Sequence, residues 1–459
     1  MTASESLAVW VANTRYDDIP PEVAAAAKRN LLDTAGTMLA GSQQRELSQI
    51  LVKYLDSVPG TGPSTLVGMR RTTSFFEAVT INGINGHYLD YDDLVIPAAG
   101  GGGPHLTTVL LPAVLAVAEM KNSSGVDLLA AYVVGCEIAY RVGKSVDPTH
   151  YNAGWHTTGT EGIFGAAVAA AKLLGSRSDQ IAVALAIAAS EASGLRVNFG
   201  TMTKPFHAGQ AASKGVRAAL LADAGFTASK KIFEAKNGFC GVYSKEPKVE
   251  ELTKELKRFT CMPEMRLKLY PCCAASHAAI YALLKIVRDQ DLRPAEVERI
   301  DVQGDPHMLV PLIYAEPKTA MEGKFSVQFP LALALMERRV VLPDFTDTRI
   351  CEPSTRDVMS RIHFTPIEEL RSNDVHSRAA IVDVTLKSGR TCSLRCDYPP
   401  GTPRNPIALE DVIVKYKSCA GLALRASDTE RSLEMMMSLE GLDDCAELTE
   451  VLRGGDRWK

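Results

Sequence analysis

The chain has 459 residues, of which 46% are hydrophobic and 23% are charged, and these values are typical of a globular protein with two or three structural units. Its formal net charge of −4 excludes the excess of positive charge that nucleic-acid binding and anionic-membrane binding need. We therefore expect neither partner, although a local positive site for a small anion stays compatible with this charge.

The N-terminal residues predict no targeting to the secretory pathway. Residues 1–6 lack a basic region followed by an apolar core, so no secretory signal is expected. The longest apolar stretches, such as 181–189, are too short to span a bilayer. The ten cysteines are scattered, as is typical of reduced thiols. The sequence thus predicts a cytoplasmic protein without a membrane partner.

The first half of the chain is predicted to be helical. A helix opens after Pro20, because Pro21 suits a first helical turn, in which the backbone N–H has no partner. Further helices are predicted at 109–120, 125–142, 163–174, 180–192 and 211–224. Several are rich in alanine and apolar around most of their circumference, which indicates burial inside a large helical domain. Gly175 and Gly225 stand where helix C-caps are expected.

The second half of the chain mixes helices and strands. A helix is predicted at 276–289, a half-buried strand at 297–303, a hairpin at 380–386 and 391–396, and helices at 409–424 and 430–452. The predicted fold is therefore mainly α. A large all-helical domain is formed by 1–266 and 401–459, and a smaller α+β domain covers 267–400.

Three segments place ionisable side chains at the beginnings of helices rich in alanine and glycine. They are 90–93 together with 104–107, then 155–159, and then 203–207. Thr158 and Glu161 have the spacing of a capping box. The start of a helix offers unpaired N–H groups and a positive dipole end, both of which suit a carboxylate ligand. The segments predict a pocket for a small anionic substrate.

The acidic and glycine-rich segments leave alternatives open. Asp90, Asp92 and Asp93 form a carboxylate cluster that fits a solvated loop or a set of helix caps equally well. A metal site is a weaker interpretation, because no EF-hand spacing follows. The glycine run 100–103 fits either a mobile flap or a surface loop, and it lacks the context of a dinucleotide fingerprint or P-loop. We expect no metal and no nucleotide cofactor.

Histidine, lysine and cysteine supply the remaining candidates. His156 is either a structural histidine or, beside a helix start that disfavours the imidazolium, a neutral group that transfers protons. Lys204 precedes a proline, which predicts an extended residue at a helix entrance. Cys272 and Cys273 precede His277 without the spacing of a zinc or iron–sulfur site. They favour small thiols that pack a turn, with a Cys–His nucleophile as the alternative.

Several motifs run in one order along most of the chain. They are Asn85-Gly-His-Tyr-Leu-Asp-Tyr-Asp-Asp, His105-x6-Pro112-Ala113, Gly154-Trp-His-Thr, Lys204-x2-His207-x-Gly209-x-Ala211-Ala212, Lys268-Leu-Tyr-Pro-Cys-Cys and Glu322-Gly-Lys-Phe-Ser. Together they resemble the MmgE/PrpD family. The resemblance implies a large helical domain, a smaller α+β lid, a cleft between them and a homodimer. It also implies cofactor-free chemistry on a small di- or tricarboxylic acid.

The resemblance also implies roles for individual side chains. Its catalytic set is His105, His156, Lys204 and Asp90, and its substrate-binding set is Lys268, Tyr314, Cys273 and His277. The two histidines of the catalytic set are expected to act as acid and base, with Asp90 orienting one of them. Lys204 and Lys268 are expected to stabilise negative charge beside a substrate carboxylate.

The family reactions share a carbanion-like stage and differ in the step that follows it. A lyase that dehydrates or decarboxylates a substrate of the cis-aconitate or 2-methylcitrate type is the leading hypothesis. The alternatives are an epimerase of an amino- or imino-dicarboxylate and a non-catalytic binding protein. Leu94 stands where the decarboxylase branch has threonine, so the sequence leaves the exact substrate open.

Overall fold

The computed structural model describes residues 1–454, and these are mainly α-helical with some strands. The helices before the central region are α1 (Ala3–Asn13), α2 (Pro21–Ser42), α3 (Arg45–Ser57), α4 (Phe75–Tyr88), α5 (Leu106–Lys121), α6 (Gly125–Val146), α7 (Thr149–Asn152), α8 (Thr157–Thr160), α9 (Gly162–Leu173), α10 (Ser178–Glu191), α11 (Thr203–Asp223), α12 (Phe239–Tyr243) and α13 (Cys261–Glu264). Within residues 1–454, no helix has the length and apolar character that a membrane crossing requires.

The later helices fall into two groups. Those of the central region are α14 (His277–Asp289), α15 (Ala320–Gly323), α16 (Gln328–Glu337), α17 (Asp347–Cys351) and α18 (Pro353–Ser360). The C-terminal ones are α19 (Leu409–Ala420), α20 (Ala426–Met437) and α21 (Ala446–Arg453). The long helix predicted at 430–452 is wrong, because a 3-10 turn at Leu439–Gly441 divides it into α20 and α21. The C-cap glycines are confirmed, since Gly175 and Gly225 have φ values of +72° and +96°.

The strands form two small sheets. They are β1 (Ser64–Leu66), β2 (Arg71–Thr73), β3 (Val297–Gly304), β4 (Ile362–Pro366), β5 (Ala380–Leu386) and β6 (Thr391–Cys396). The larger sheet has the order β4-β3-β5-β6, with β3 parallel to β4 and antiparallel to β5. The predicted hairpin is confirmed, and Val382 pairs with Leu394 in it.

Three apolar cores hold the described helices and strands together. One combines buried side chains from 7–267 with others from 412–452, a second lies within 272–396, and a smaller third joins side chains from 40–89 with Cys419. The expectation of an all-helical large domain needs a correction, because the antiparallel pair β1–β2 lies in the N-terminal part of the chain. Two of the three β2 residues are threonines, and β-branched side chains favour extended backbone.

Glycines bring the backbones of α4 and α11 into direct contact. A Cβ atom on Gly83 would lie 2.6 Å from the Cα of Gly209, and one on Gly209 would lie 2.1 Å from the carbonyl oxygen of Thr80. Only glycine permits so close an approach. The contact sets the C-terminal end of α4 beside the first turn of α11, so that the side chains of His87 and Lys204 meet.

Replacing Gly209 with alanine tests this close approach. We expect Gly209→Ala to lower the free energy of unfolding by about 1–3 kcal/mol, because the added methyl group forces the helices apart. Gly441→Ala is the control, since no atom lies within 4 Å of a Cβ at that position. Urea denaturation measures both variants. Equal stability of the two would contradict the packing described.

Candidate active site

A cavity lies where the helical N-terminal part of the chain meets the central region. About 730 Å³ of space lies between its walls, and this figure includes open solvent. Both parts of the chain line it. The expected site residues that contribute to its walls are Asp90, His105, His156, Lys204, Lys268 and Cys273.

The carboxylate of Asp90 is the central charge of this cavity. Lys204 Nζ lies 2.6 Å from its Oδ1, and Lys268 Nζ lies 3.1 Å from its Oδ2 and donates to its backbone carbonyl over 2.8 Å. Asp90 is 3% exposed and has a φ of +51°, a conformation that aspartate tolerates better than most residues. Burial acts to raise the pKa of Asp90, but Lys204 and Lys268 outweigh it and hold the pKa below its usual range.

A chain of imidazole and carboxylate groups extends from Lys204. Lys204 Nζ lies 2.8 Å from His87 Nε2, and His87 Nδ1 lies 2.9 Å from an oxygen of Asp92. Burial lowers the pKa of His87 to about 3, so this imidazole is neutral. Its partners assign the tautomer that donates from Nδ1 to Asp92 and accepts at Nε2. The same carboxylate lies 3.0 Å from His105 Nδ1, while His105 Nε2 lies 3.9 Å from Asp90.

His156 reaches the cavity from the N-cap position of α8. Its Nδ1 lies 2.9 Å from the Nδ1 of His207, which is half-buried on α11. Burial, and then the positive charge of Lys204, lower the pKa of His156 well below its usual value, and burial lowers the pKa of His207 to about 4. Two neutral imidazoles at this distance form one hydrogen bond, in which one Nδ1 donates a proton and the other Nδ1 accepts it. The tautomers of His156 and His207 are therefore coupled: where one carries its proton on Nδ1, the other accepts at Nδ1.

Two local expectations at these helix starts are wrong. Thr158 lies inside α8 and accepts a hydrogen bond from the His105 backbone N–H over 3.1 Å, so it forms no capping box with Glu161. Within residues 1–454 the buried Glu161 carboxylate has no hydrogen-bond partner, and burial raises its pKa. Lys204 is helical rather than extended, because α11 begins at Thr203. A proline in the next position is tolerated, since first-turn N–H groups lack intrahelical partners.

The expected substrate-binding residues divide into two groups. Cys273 lines the cavity, and burial raises the pKa of its thiol to about 11. His277 and Tyr314 are absent from the described lining: His277 Nε2 lies 3.2 Å from the Cys272 carbonyl oxygen, and Tyr314 donates to the Phe199 carbonyl over 2.9 Å. Burial raises the pKa of Cys272 to about 12. Both cysteines are therefore protonated near neutral pH and lack the thiolate that a nucleophile needs.

The glycine run packs into the wall of the cavity. A Cβ on Gly101 would lie 2.6 Å from the Asp147 carboxylate, and one on Gly102 would lie 2.4 Å from the Tyr151 ring. The Asp147 carboxylate accepts the backbone N–H of Gly102 over 3.0 Å. The run is thus a packed wall beside His105 rather than a surface loop. Close backbone approach explains why glycines fill it.

The metal alternative has a set of donors in the structure. One atom each of His87, Asp90, Asp92 and His105 lies within 4.8 Å of the others. However, the ammonium of Lys204 already contacts both His87 and Asp90, at 2.8 and 2.6 Å. This cation lies against the donor atoms that a metal would use and neutralises part of their charge. The arrangement favours an internal network of ion pairs and hydrogen bonds over a metal site.

The sequence analysis gave no role to three residues of this network. His87 lies in a motif quoted above, but an isolated histidine near a helix end resembles many structural ones. Asp92 is one of three aspartates whose directions only the folded turn decides. His207 follows Lys204 by three positions on a helix, a spacing that places both side chains on one face and could have linked them.

Two family models and several curated proteins are similar to this chain. Residues 5–252 match the model of the MmgE/PrpD N-terminal domain, and residues 270–441 match that of the MmgE/PrpD C-terminal domain. A cis-aconitate decarboxylase of Homo sapiens is 28% identical over 98% of this chain and 94% of its own length. The cis-aconitate decarboxylase of Aspergillus terreus is 28% identical over 96% and 94%, and that of Mus musculus is 27% identical over 99% and 94%.

Replacing the central carboxylate tests the role of its two ion pairs. Asp90→Asn keeps the shape of the side chain but leaves two buried ammonium groups without their counter-charge. We expect the free energy of unfolding to fall by about 3–5 kcal/mol, the usual cost of removing one partner from a buried ion pair. Urea denaturation measures the change.

The matched control is Asp289→Asn, which removes an exposed ion pair with Lys285. We expect it to cost less than about 1 kcal/mol. If both variants lower the free energy of unfolding by the same small amount, the Asp90 ion pairs do not hold the site together.

Proposed function

Because the chain belongs to the MmgE/PrpD family, we propose that it is a cofactor-independent lyase that decarboxylates a small unsaturated tricarboxylate of the cis-aconitate type. One observation carries this proposal. Lys204 and Lys268 lie against Asp90 in a cavity that the neutral His105 and His156 also line. The names of the curated relatives favour decarboxylation over the dehydration that the family also performs.

The charges of the site suit a carboxylate substrate. Lys204 and Lys268 both lie against the carboxylate of Asp90, and both lysines line the cavity that a ligand would enter. Burial opposes the charge on Lys268, but Asp90 outweighs it and raises the pKa of that lysine, which keeps it charged. Inside a buried cavity these fixed charges act at low dielectric, where they stabilise a developing negative charge more strongly than water does.

The proposed reaction breaks the bond between carbon and one carboxylate. Carbon dioxide leaves, and the electron pair stays on the substrate, delocalised over its double bond and a neighbouring carboxylate. Lys204 and Lys268 stabilise this anion. An N–H of the neutral His105 or His156 then gives its proton to carbon while the second nitrogen of that ring takes up another proton, so that the ring stays neutral. One proton from solvent replaces it in each turnover. His207 is half-buried and hydrogen-bonded to His156, so it suits the return of that proton.

The larger arrangement belongs to the same proposal. Residues 267–400 would act as a lid on a unit formed by 1–266 and 401–459, and the separation of the two larger apolar cores supports this division. The family resemblance supports a homodimer. The ten cysteines are all free, which supports a reducing compartment such as the cytoplasm.

Identification of the product tests the function. The purified protein is incubated with cis-aconitate, citrate, 2-methylcitrate and amino-dicarboxylates, each with and without EDTA, and the products are analysed by mass spectrometry. We expect loss of carbon dioxide from the unsaturated tricarboxylate, unchanged by EDTA. Loss of water would indicate a dehydratase, and an unchanged mass with inverted configuration would indicate an epimerase. Inactivation by EDTA with recovery on one metal would overturn cofactor independence.

Three substitutions test the assignment of roles. We expect His156→Ala to lower kcat by about 10²–10⁴, the usual contribution of a general acid or base. Lys204→Ala should raise KM and lower kcat, because this ammonium faces both the substrate and the anion. Cys272→Ser should change either constant little, because its protonated thiol only packs.

Circular dichroism and a cooperative thermal transition above the assay temperature establish that each of these variants is folded. Normal turnover by the His156 and Lys204 variants together with an inactive Cys272→Ser would contradict the proton-transfer model. A mechanism based on the thiol would replace it.

A further inference from the structure

Two arginines in the cavity form no ion pair within the described residues 1–454. Arg266 and Arg378 both line the cavity and are only 5% and 8% exposed. Within residues 1–454 neither guanidinium forms an ion pair with a carboxylate. Arg378 Nη1 donates to the Ser377 carbonyl over 3.1 Å, Arg266 Nη2 donates to the Val375 carbonyl, and the buried Arg266 Nε has no hydrogen-bond partner in that range.

Such an arrangement is costly in the empty protein. Burial of an unpaired charge is unfavourable, and folded proteins rarely retain one without a partner. Burial, and then the like charge of the neighbouring Arg378, lower the pKa of Arg266 to about 9. Arg266 nevertheless stays charged at neutral pH. The cost is recovered when an anion enters the cavity and accepts hydrogen bonds from both groups.

The backbone fixes where these charges lie relative to the lysines. Arg266 pairs with Leu94 as in an antiparallel strand, donating its N–H over 2.7 Å and accepting the Leu94 N–H over 3.0 Å. In extended backbone, side chains two residues apart point to the same side, about 7 Å from each other. Arg266 and Lys268 therefore both face the cavity, as separate contacts for separate groups of one ligand.

We propose that Arg266 and Arg378 form a second anion subsite, which binds a carboxylate that the substrate retains while Lys204 and Lys268 face the reacting end. The inference rests on the proposed function for the identity of the reacting end, but the subsite itself rests on the two unpaired guanidiniums. Its ligand is a polycarboxylate, because a monocarboxylate cannot reach both groups of cations.

The subsite also connects the two parts of the chain. Arg378 directly precedes the β5 region of the central core, whereas Arg266 is paired with the segment that carries the aspartate cluster. A carboxylate held between them contacts both parts at once. Ligand binding therefore favours the closed arrangement of the cavity.

Binding of propane-1,2,3-tricarboxylate tests the subsite without turnover, because this saturated compound lacks the double bond that delocalises the electron pair. Isothermal titration calorimetry is performed on the wild type, Arg378→Gln and Arg378→Lys. We expect Arg378→Gln to weaken binding at least tenfold, about the effect of one hydrogen bond to a charged group. Arg378→Lys should restore part of the affinity.

The control variant is Arg395→Gln, an exposed arginine of the same region that pairs with Asp397. It should bind like the wild type. The melting temperature without ligand separates binding from a structural role, because removal of an unpaired buried charge should leave it unchanged or raise it. A lower melting temperature in Arg378→Gln with unchanged affinity would assign the arginine a structural role and overturn the subsite.

The kinetic constants separate a failure of the subsite from a failure of the proposed function. If the wild type decarboxylates cis-aconitate and Arg378→Gln raises KM with little change in kcat, both proposals stand. If the KM and the affinity for propane-1,2,3-tricarboxylate are unchanged, or if the wild type binds no tricarboxylate, the subsite is overturned. If binding depends on Arg378 but no substrate reacts, the subsite stands and the proposed reaction is wrong.

Discussion

The buried carboxylate of Asp90 is the constraint on which the site depends. A charge at 3% exposure needs counter-charges, and it finds Lys204 from α11 and Lys268 from the segment before the central region. Two further buried lysines bind the backbone around it: Lys324 donates to the carbonyl before Asp90, and Lys415 donates to the carbonyl after it. Four segments that are distant in sequence must therefore converge on one turn, and the cavity lies where they do.

The burial that results from this convergence leaves some basic side chains of the site charged and others neutral. Lys268 and Arg266 stay charged, while burial keeps His87 and His156 neutral. Positive charge is thus available to bind carboxylates and stabilise an anion, and neutral imidazoles are available to transfer protons at neutral pH. Burial penalises every charge in this environment. Asp90 outweighs that penalty for Lys268, whereas burial outweighs the attraction of Asp92 for His87. Arg266 and Arg378 form no ion pair with residues 1–454, and a ligand is the partner that we propose for them.

The sequence predicted features that depend on local pattern. Helical periodicity predicted α6 and α9, and the alternation of apolar and polar residues on both sides of a turn predicted the β5–β6 hairpin. It did not predict β4, whose pairing with β3 requires a distant partner, or the start of α11, where Lys204 precedes a proline. Family motifs selected the residues that meet at Asp90. They could not select Arg266 or Arg378, because a lone arginine resembles any solvated charge until folding removes its water and its counter-ion.

The fate of solvent hydrogen during turnover tests the central claim most directly, namely that neutral histidines deliver a solvent proton to an anion held by lysines. Cis-aconitate is converted in D2O, and the product is examined by NMR spectroscopy and mass spectrometry. The account predicts one non-exchangeable deuterium per product molecule, on the carbon that receives the proton and in a single configuration, because the donor is fixed on one side. A decarboxylated product without deuterium, or with deuterium in both configurations, would contradict it.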